Sequence, residues 1–176
     1  MLTTLSNGLR IELPVRSICG HRCRLPASQS GSCRTKELIT ERLPKPPATV
    51  IDVGGGPGTH ALWLAELGYE VHLIDPVPYL VAQAQRRSDE VRRRIASCSI
   101  GDARELKWND HSIDAVLELG PLYHLIHQED RLQALGESLR VLKPGGNVFV
   151  AGYPDLRQHW MGFPEICSLT KRSRAL

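Results

Sequence analysis

The sequence predicts an α/β fold in which helices cover a parallel β-sheet. Between residues 49 and 152, short apolar segments rich in β-branched residues alternate with longer segments whose apolar residues recur at helical spacing. A glycine-rich turn follows the first of these short segments. Strand–helix alternation at this spacing is typical of βαβ units, whose strands run parallel in one sheet.

Length and composition agree with a single folded domain. The chain has 176 residues, of which 41% are apolar and 23% charged, which is enough for a substantial core. A formal net charge of +3 is too small to indicate a nucleic-acid partner. No apolar run approaches the roughly 18 residues that span a bilayer, and the N-terminus lacks a secretory signal pattern. We therefore expect a cytoplasmic protein without a membrane partner.

The predicted elements begin after an N-terminal arm. Residues 1–33 show neither helical nor strand periodicity, and we interpret them as irregular. Residues 34–43 place apolar side chains on one side of a helix, which the proline-rich segment 44–47 ends. Residues 49–53 read as a short strand, and their continuous apolar character predicts burial on both faces of the sheet.

Four more strands and their helices complete the predicted core, residues 34–152. A helix over 59–67 follows the glycine turn and stops at Gly68, a residue typical of helix C-termini. The remaining strands are expected at 70–74, 95–100, 112–119 and 147–152, with helices near 77–94 and from Leu132 to Leu142. Residues 153–176 show no clear pattern, so we expect an irregular tail and a sheet truncated after its fifth strand.

The cysteines indicate neither a disulfide framework nor a metal site. There are five of them, an odd number, and their spacing is irregular. Cys19, Cys23 and Cys33 have the beginnings of a zinc-binding pattern but no paired second half. The sequence therefore predicts no bound metal.

The glycine-rich turn is the strongest functional feature. Ligands of open α/β sheets bind outside the carboxyl ends of the strands, and glycine lets the main chain approach a ligand closely. A phosphate-binding P-loop needs Lys and then Ser or Thr after its last glycine, whereas Thr59-His60-Ala61 follows Gly58. A dinucleotide fingerprint fits weakly on Gly56, Gly58 and Ala61 with Asp75 beyond, which keeps an NAD-dependent oxidoreductase as a weaker hypothesis.

An acid two residues before three alternating glycines gives a third interpretation. Residues 52–58, DVGGGPG, resemble motif I of the S-adenosylmethionine-dependent methyltransferases with a Rossmann-like fold. Asp75 at the end of the second strand and the triplet 101–103 after the third extend this resemblance in the right order. The triplet 114–116 on the fourth strand and the segment 142–146 before the fifth extend it further.

Within that superfamily, residues 119–125, LGPLYHL, are similar to a subgroup of bacterial small-molecule methyltransferases. The resemblance implies that S-adenosylmethionine is the cofactor, a ligand that carries no phosphate. It implies cofactor-binding roles for Asp52, Gly54, Gly56, Gly58, Asp75, Asp102, Ala103, Glu118 and Leu119.

Each part of this cofactor has an expected partner. The carboxylate of Asp52 suits the cofactor's ammonium, directly or through water. Asp75 can accept both ribose hydroxyls, as an acid in this position does for NAD. By resemblance, Asp102 accepts from the adenine amino group while the Ala103 N–H donates to the ring, and main-chain carbonyls around Glu118 and Leu119 face the ammonium.

Catalysis requires alignment of the acceptor with the methyl carbon and the sulfur, and a general base helps where the acceptor is protonated. Tyr123 and His124, just past the fourth strand, are the candidate bases, although either can equally be a packing residue. We expect methyl transfer to a small-molecule acceptor. The alternative is a truncated or non-catalytic S-adenosylmethionine-binding protein whose exposed sheet edge favours self-association.

Overall fold

The computed structural model describes residues 2–4, 10–12, 35–152 and 165–170. Among these residues, no helix is both long and apolar enough to cross a bilayer. In chain order the elements are β1 (Leu2–Thr4), β2 (Arg10–Glu12), α1 (35–40), β3 (Thr49–Val53), α2 (Thr59–Leu67), β4 (Glu70–Asp75), α3 (Pro78–Asp89), β5 (Ser97–Ile100), β6 (Ile113–Glu118), α4 (Pro121–His124), α5 (Gln128–Val141), β7 (Leu142–Gly152) and β8 (Glu165–Thr170).

The main sheet has six strands in the order β5-β4-β3-β6-β7-β8. Strand β3 pairs in parallel with β4 on one side and β6 on the other, and β5 and β7 extend the parallel sheet outwards. The strand order therefore reverses beside β3, and ligands of open α/β sheets bind at such a switch point. The predicted α/β fold with a Rossmann-like parallel sheet is confirmed.

The structure adds a sixth strand that the sequence analysis missed. Strand β8 runs antiparallel along β7, from Asn147 opposite Thr170 to Gly152 opposite Glu165. The interpretation of 153–176 as irregular throughout is wrong for this segment, and the β7 edge that was expected to favour self-association is paired. The short segment EICSLT mixes polar and apolar residues, so only its partner strand reveals it as a strand. The rest of 153–176 lies outside the described residues.

The N-terminal arm also contains short strands that were not predicted. Strand β1 pairs antiparallel with β2, from Leu2 opposite Glu12 to Thr4 opposite Arg10. The remaining residues of 1–33 lie outside the described part of the chain, as do Cys19, Cys23 and Cys33. Three-residue strands are too short to produce a recognisable periodicity, which explains why the sequence did not indicate them.

Helix α3 is shorter than predicted and ends at Asp89 instead of near residue 94. The buried hydroxyl of Ser88 accepts the main-chain N–H of Ile95 at 2.8 Å, and this bond turns the chain back towards β5. Ile95 is buried in the core before β5 begins at Ser97. Its apolar side chain therefore resembles a strand residue in the sequence although it belongs to the preceding turn.

Helices cover both faces of the sheet, as expected. On one face, Val50 of β3 packs in a cluster with Ile39 of α1 and residues of α2 and α3. On the other face, Ile51 of β3 packs in a cluster with Leu139 and other residues of α5. Because neighbouring residues of β3 belong to opposite clusters, the predicted burial of this strand on both faces is confirmed.

Candidate active site

The glycine-rich turn is held against the end of β4. The N–H groups of Gly54 and Gly55 lie 2.7 and 3.3 Å from the carbonyl of Ile74, and Gly56 N–H donates to Asp75 Oδ2 at 2.9 Å. Gly54, Gly56 and Gly58 have φ angles of 65°, 54° and 80°, in the left-handed region that favours glycine. The turn thus has a fixed shape that few other residues would allow.

The glycine-rich turn packs against a neighbouring segment on one side and leaves open space at Gly56. A Cβ atom on Gly54 would lie 2.7 Å from the Pro121 ring, and one on Gly120 would lie 3.2 Å from the Gly54 carbonyl. The turn after β3 therefore touches the segment that leads from β6 into α4. Apart from its chain neighbours, no atom of the described residues lies within 4 Å of the corresponding position at Gly56, so a ligand has room to approach the main chain there.

Asp52 lies beneath this turn and is 2% exposed. Its Oδ2 atom is buried and has no hydrogen-bond partner among the described residues. Burial raises the pKa of Asp52 to about 7, the N–H of Ala61 opposes this by hydrogen bonding, and the negative charge of Asp75 adds to it. The predicted position of Asp52 near the ammonium stays a prediction.

Asp75 connects the turn with the start of α3 and is 4% exposed. Its Oδ2 accepts the Gly56 N–H and its Oδ1 accepts the Val77 N–H, both at 2.9 Å. A carboxylate oxygen can accept two hydrogen bonds, so with respect to the described residues each oxygen retains one acceptor position. Two positions match the two ribose hydroxyls assigned to Asp75, and that assignment stays a prediction.

Asp102 is fixed by a residue that the sequence analysis did not consider. Arg104 donates to both carboxylate oxygens of Asp102, from Nε at 3.0 Å and from Nη2 at 2.6 Å. These hydrogen bonds hold the pKa of Asp102 below its usual range. In the described part of the chain, the N–H of the neighbouring Ala103 has no acceptor. The arrangement offers a carboxylate acceptor next to a main-chain donor.

Glu118 is a second buried carboxyl, at the carboxyl end of β6, and its exposure is 0%. The Ser138 hydroxyl of α5 donates to its Oε2 at 3.1 Å, whereas Oε1 has no partner among the described residues. Burial raises the pKa of Glu118 to about 7, and the Ser138 hydrogen bond opposes this rise. The sequence indicated only the main-chain carbonyl of Glu118 as a cofactor contact. A charged residue that ends the apolar run of β6 was a sequence signal for this buried group.

The candidate bases lie on α4, the short helix that follows β6. The hydroxyl oxygen of Tyr123 is buried, and its main-chain N–H donates to the Gly120 carbonyl at 3.2 Å. His124 is exposed. Both residues therefore follow directly on the segment that touches the glycine turn, and their catalytic roles stay predictions.

His60 is the second residue of α2, and its Nε2 is buried and has no partner among the described residues. Burial lowers the pKa of His60, and the nearby positive charge of Lys36 lowers it further. The Lys36 ammonium lies 5.2 Å from the centre of the Trp63 ring. Helix α1 thus brings a cation beside the start of α2, next to the glycine turn. The position of this cation depends on the packing of two helices, which the sequence alone does not reveal.

These groups fit the proposed cofactor chemically. Asp52 and Glu118 are buried carboxyls that each have one oxygen without a hydrogen-bond partner in the described structure, and they suit a ligand that carries an ammonium and a sulfonium. Asp75 has acceptor positions for hydroxyls, and the turn has the opening at Gly56. The Lys and Ser or Thr that a P-loop needs for phosphate do not follow Gly58. A parallel sheet with these carboxyls and the glycine-rich turn at its switch point is characteristic of S-adenosylmethionine-binding proteins, and we assign the protein to this class.

Comparison with a known family agrees with this conclusion. Residues 51–150 match the model of a family described as methyltransferase domain. Because the match spans more than half of the chain, the protein belongs to this methyltransferase family, whose cofactor is S-adenosylmethionine.

Curated relatives of the chain include proteins named as methyltransferases. An uncharacterised methyltransferase of Mycobacterium bovis is 32% identical over 128 residues, which cover 71% of this chain and 48% of the relative. Methyltransferase GfsG of Streptomyces halstedii is 32% identical over 129 residues, which cover 72% of this chain and 45% of the relative. The chain thus spans about half the length of these relatives.

Solved structures share the fold. The PH0226 protein of Pyrococcus horikoshii superimposes with a TM-score of 0.62 at 25% identity, covering 72% of this chain and 58% of that one. A protein described as the [4+2]-cyclase SpnF superimposes with a TM-score of 0.63 at 30% identity, covering 74% of this chain and 48% of that one.

Proposed function

We propose that this protein transfers the methyl group of S-adenosylmethionine to a small-molecule acceptor. The observation that carries the proposal is the convergence of the open glycine turn with Asp52, Asp75 and Asp102 at the carboxyl edge of the sheet, in a chain of the methyltransferase family. Asp75 pairs in register with Ile100, two residues before Asp102, so the two acids follow neighbouring strand ends.

One relative, one sequence motif and the net charge of the chain support a small-molecule acceptor. A glycine/sarcosine N-methyltransferase of Parasynechococcus marenigrum is 37% identical over 100 residues, 56% of this chain and 35% of that protein. The segment 119–125 resembles the LGPLYHL subgroup of small-molecule enzymes. A probable tRNA methyltransferase of Mus musculus is 31% identical over 119 residues, 66% of this chain and 24% of that protein. The name of this second relative indicates an RNA acceptor for that protein. For this chain, the net charge of +3 favours a small acceptor over a nucleic acid.

In the proposed complex, Asp75 accepts the ribose hydroxyls, and Asp102 with Ala103 holds the adenine. Asp52 and the main-chain carbonyls of Glu118 and Leu119 face the methionine ammonium. When bound, the cofactor supplies an electrophilic methyl group on a sulfonium. The protein's task is then to align the acceptor with this methyl group, since most of the rate enhancement of such a transfer comes from orientation.

Tyr123 and His124 are the proposed groups that take the acceptor's proton. They follow Pro121, whose ring lies against Gly54 of the glycine-rich turn, and this contact supports a role for α4 next to the cofactor. His124 is exposed and can reach an acceptor that enters from solvent. The irregular cysteine content favours a reducing compartment, and we place the reaction in the cytoplasm.

Calorimetry with S-adenosylmethionine and S-adenosylhomocysteine tests cofactor binding, and we expect both to bind. Folded protein that binds neither would contradict the proposal. Mass spectrometry of a broad small-molecule acceptor screen then tests transfer through a mass increase of one methyl group. Binding without any methylated product would favour the non-catalytic alternative, while NADH binding would favour the oxidoreductase hypothesis.

A further inference from the structure

Arg104 surrounds the carboxylate of Asp102 within a single turn. The main-chain N–H of Arg104 donates to Oδ1 at 2.8 Å and its Nε donates to the same oxygen at 3.0 Å. Nη2 donates to Oδ2 at 2.6 Å, and the Asp102 carbonyl accepts the N–H of Glu105 at 3.1 Å. A planar guanidinium that binds both oxygens fixes the direction as well as the charge of a carboxylate.

The hydrogen bonds from Arg104 occupy most of the acceptor positions of the Asp102 carboxylate. A carboxylate oxygen accepts about two hydrogen bonds, and Oδ1 accepts two from Arg104. Oδ2 accepts one, so among the described residues one acceptor position remains, on Oδ2. The N–H of Ala103 has no acceptor in the same part of the chain. One acceptor beside one donor is complementary to adenine, which presents an amino donor beside a ring-nitrogen acceptor.

Arg104 is itself anchored from the other side. Its Nη1 donates to Asp130 Oδ1 of α5 at 3.0 Å, and its carbonyl accepts from Gln133 Nε2 at 3.1 Å. The side chains of Arg104 and Asp102 are 38% and 44% exposed. A carboxylate with this exposure would rotate and become hydrated if no neighbour held it. The guanidinium of Arg104 therefore determines the direction of the remaining acceptor position of Asp102.

We propose that Arg104 is a positioning residue that orients Asp102 towards the adenine amino group and gives the cofactor site its preference for adenine. The inference rests on the proposed function, because it requires the adenine of S-adenosylmethionine to lie against Asp102 and Ala103. It adds a residue whose side chain need not touch the cofactor. A purely structural role would change stability but would leave the choice between two purine bases unaltered.

The test compares S-adenosylhomocysteine with S-inosylhomocysteine, whose base carries an oxo group in place of the amino group and a ring N–H in place of the acceptor nitrogen. We expect the unaltered protein to bind the adenosyl compound about 30-fold more tightly. In the inosyl base, the oxo group brings an acceptor to the acceptor Asp102 and the ring N–H brings a donor to the Ala103 N–H. In Arg104→Met, which keeps an unbranched apolar stem but removes the guanidinium, we expect this ratio to fall to about threefold, with the adenosyl affinity falling about tenfold. Calorimetry measures both affinities.

Two variants separate geometry from charge. Arg104→Lys keeps the positive charge but cannot bind both oxygens in a fork, so we expect it to lose the preference as Arg104→Met does. Arg94→Met removes an exposed arginine that pairs with Asp89, and we expect it to leave both affinities unchanged. Thermal unfolding confirms that each variant is folded, and should Arg104→Met fail to fold, Arg104→Lys provides the same comparison.

The outcomes are distinguishable. Unaltered preference in folded Arg104→Met or Arg104→Lys would overturn the inference while leaving the proposed function intact. An unaltered protein that binds neither compound would contradict the proposed function and this inference with it. Loss of the preference in both Arg104 variants, with retention in Arg94→Met, supports the assignment.

Discussion

The Oδ2 atom of Asp52 lies only 2.8 Å from the position that a Cβ atom on Gly55 would occupy. The same position is 2.9 Å from the side chain of Leu73, so the turn rests directly on a buried carboxyl and a buried leucine. This contact requires glycine at position 55 for reasons of space alone, whereas Gly54, Gly56 and Gly58 also meet a conformational requirement, since their φ angles are positive.

Gly55→Ala is therefore expected to destabilise the protein by about 1–3 kcal/mol, the usual result of overpacking a rigid site. Cofactor affinity should fall with it because the turn must move. Urea denaturation and calorimetry measure the two effects. Gly136→Ala is the control, since in the described part of the chain no atom beyond the nearby backbone of α5 lies within 4 Å of its Cβ position, and alanine there should stabilise by about 0.5–1 kcal/mol. Equal stability of the two variants would contradict this account of Gly55.

The buried carboxyl of Asp52 should make the stability of the cofactor-free protein fall as pH rises. Its pKa is about 7 in the folded protein and about 4 in the unfolded chain, so the folded state holds the extra proton between these values. Stability is then lost from about pH 4 to about pH 7, by up to ~4 kcal/mol for this one group. Asp52→Asn should be less sensitive to pH, and urea denaturation at pH 5 and pH 8 compares the two proteins. A parallel pH dependence of the two would refute the assignment.

Ser138→Ala should destabilise the protein by about 1–3 kcal/mol, because Glu118 loses the only donor that the described residues provide. The loss should be larger at pH 8 than at pH 5, since the carboxylate needs the donor more than the protonated acid does. In a Glu118→Gln background, the same serine substitution should have little pH dependence. Thermal unfolding of the four proteins at both pH values tests this coupling.

Asp75→Asn should weaken S-adenosylhomocysteine binding by about tenfold or more. The amide retains a single oxygen, so it cannot accept both the Gly56 and the Val77 N–H groups and two ribose hydroxyls. Asp89→Asn, at an exposed acid of α3, is the matched control and should bind as the unaltered protein does. Calorimetry provides both affinities, and equal binding by the two variants would exclude Asp75 from the ribose site.

His124→Asn is expected to lower kcat by about a hundredfold while leaving S-adenosylhomocysteine affinity unchanged, as removal of a general base does. Tyr123→Phe distinguishes the two candidates, because only the residue that takes the proton should show the full loss. His127→Asn, at an exposed histidine just before α5, is the control. If neither His124→Asn nor Tyr123→Phe lowers kcat, both residues have packing roles.

The sequence determined the parallel sheet and the composition of its carboxyl edge. Residues 49–53 are apolar and β-branched and the glycine turn follows at once, so local preferences alone define that strand and its exit. Asp75 and the triplet 101–103 follow later strands, and parallel strands bring their ends together at one edge. The family and its cofactor could be inferred from this pattern because each part of it is short and local.

The tertiary structure alone decided which groups are buried and which are held by distant partners. Arg104 reaches Asp130, a residue 26 positions away, and Glu118 meets Ser138, 20 positions away, in the core. Strand β8 exists by pairing with β7, and the burial of His60 depends on helices that pack across a turn. Such contacts arise from the packing of whole elements, which residue spacing along one chain does not specify. The sequence therefore indicated the candidate residues of the site, and folding decided their burial and orientation.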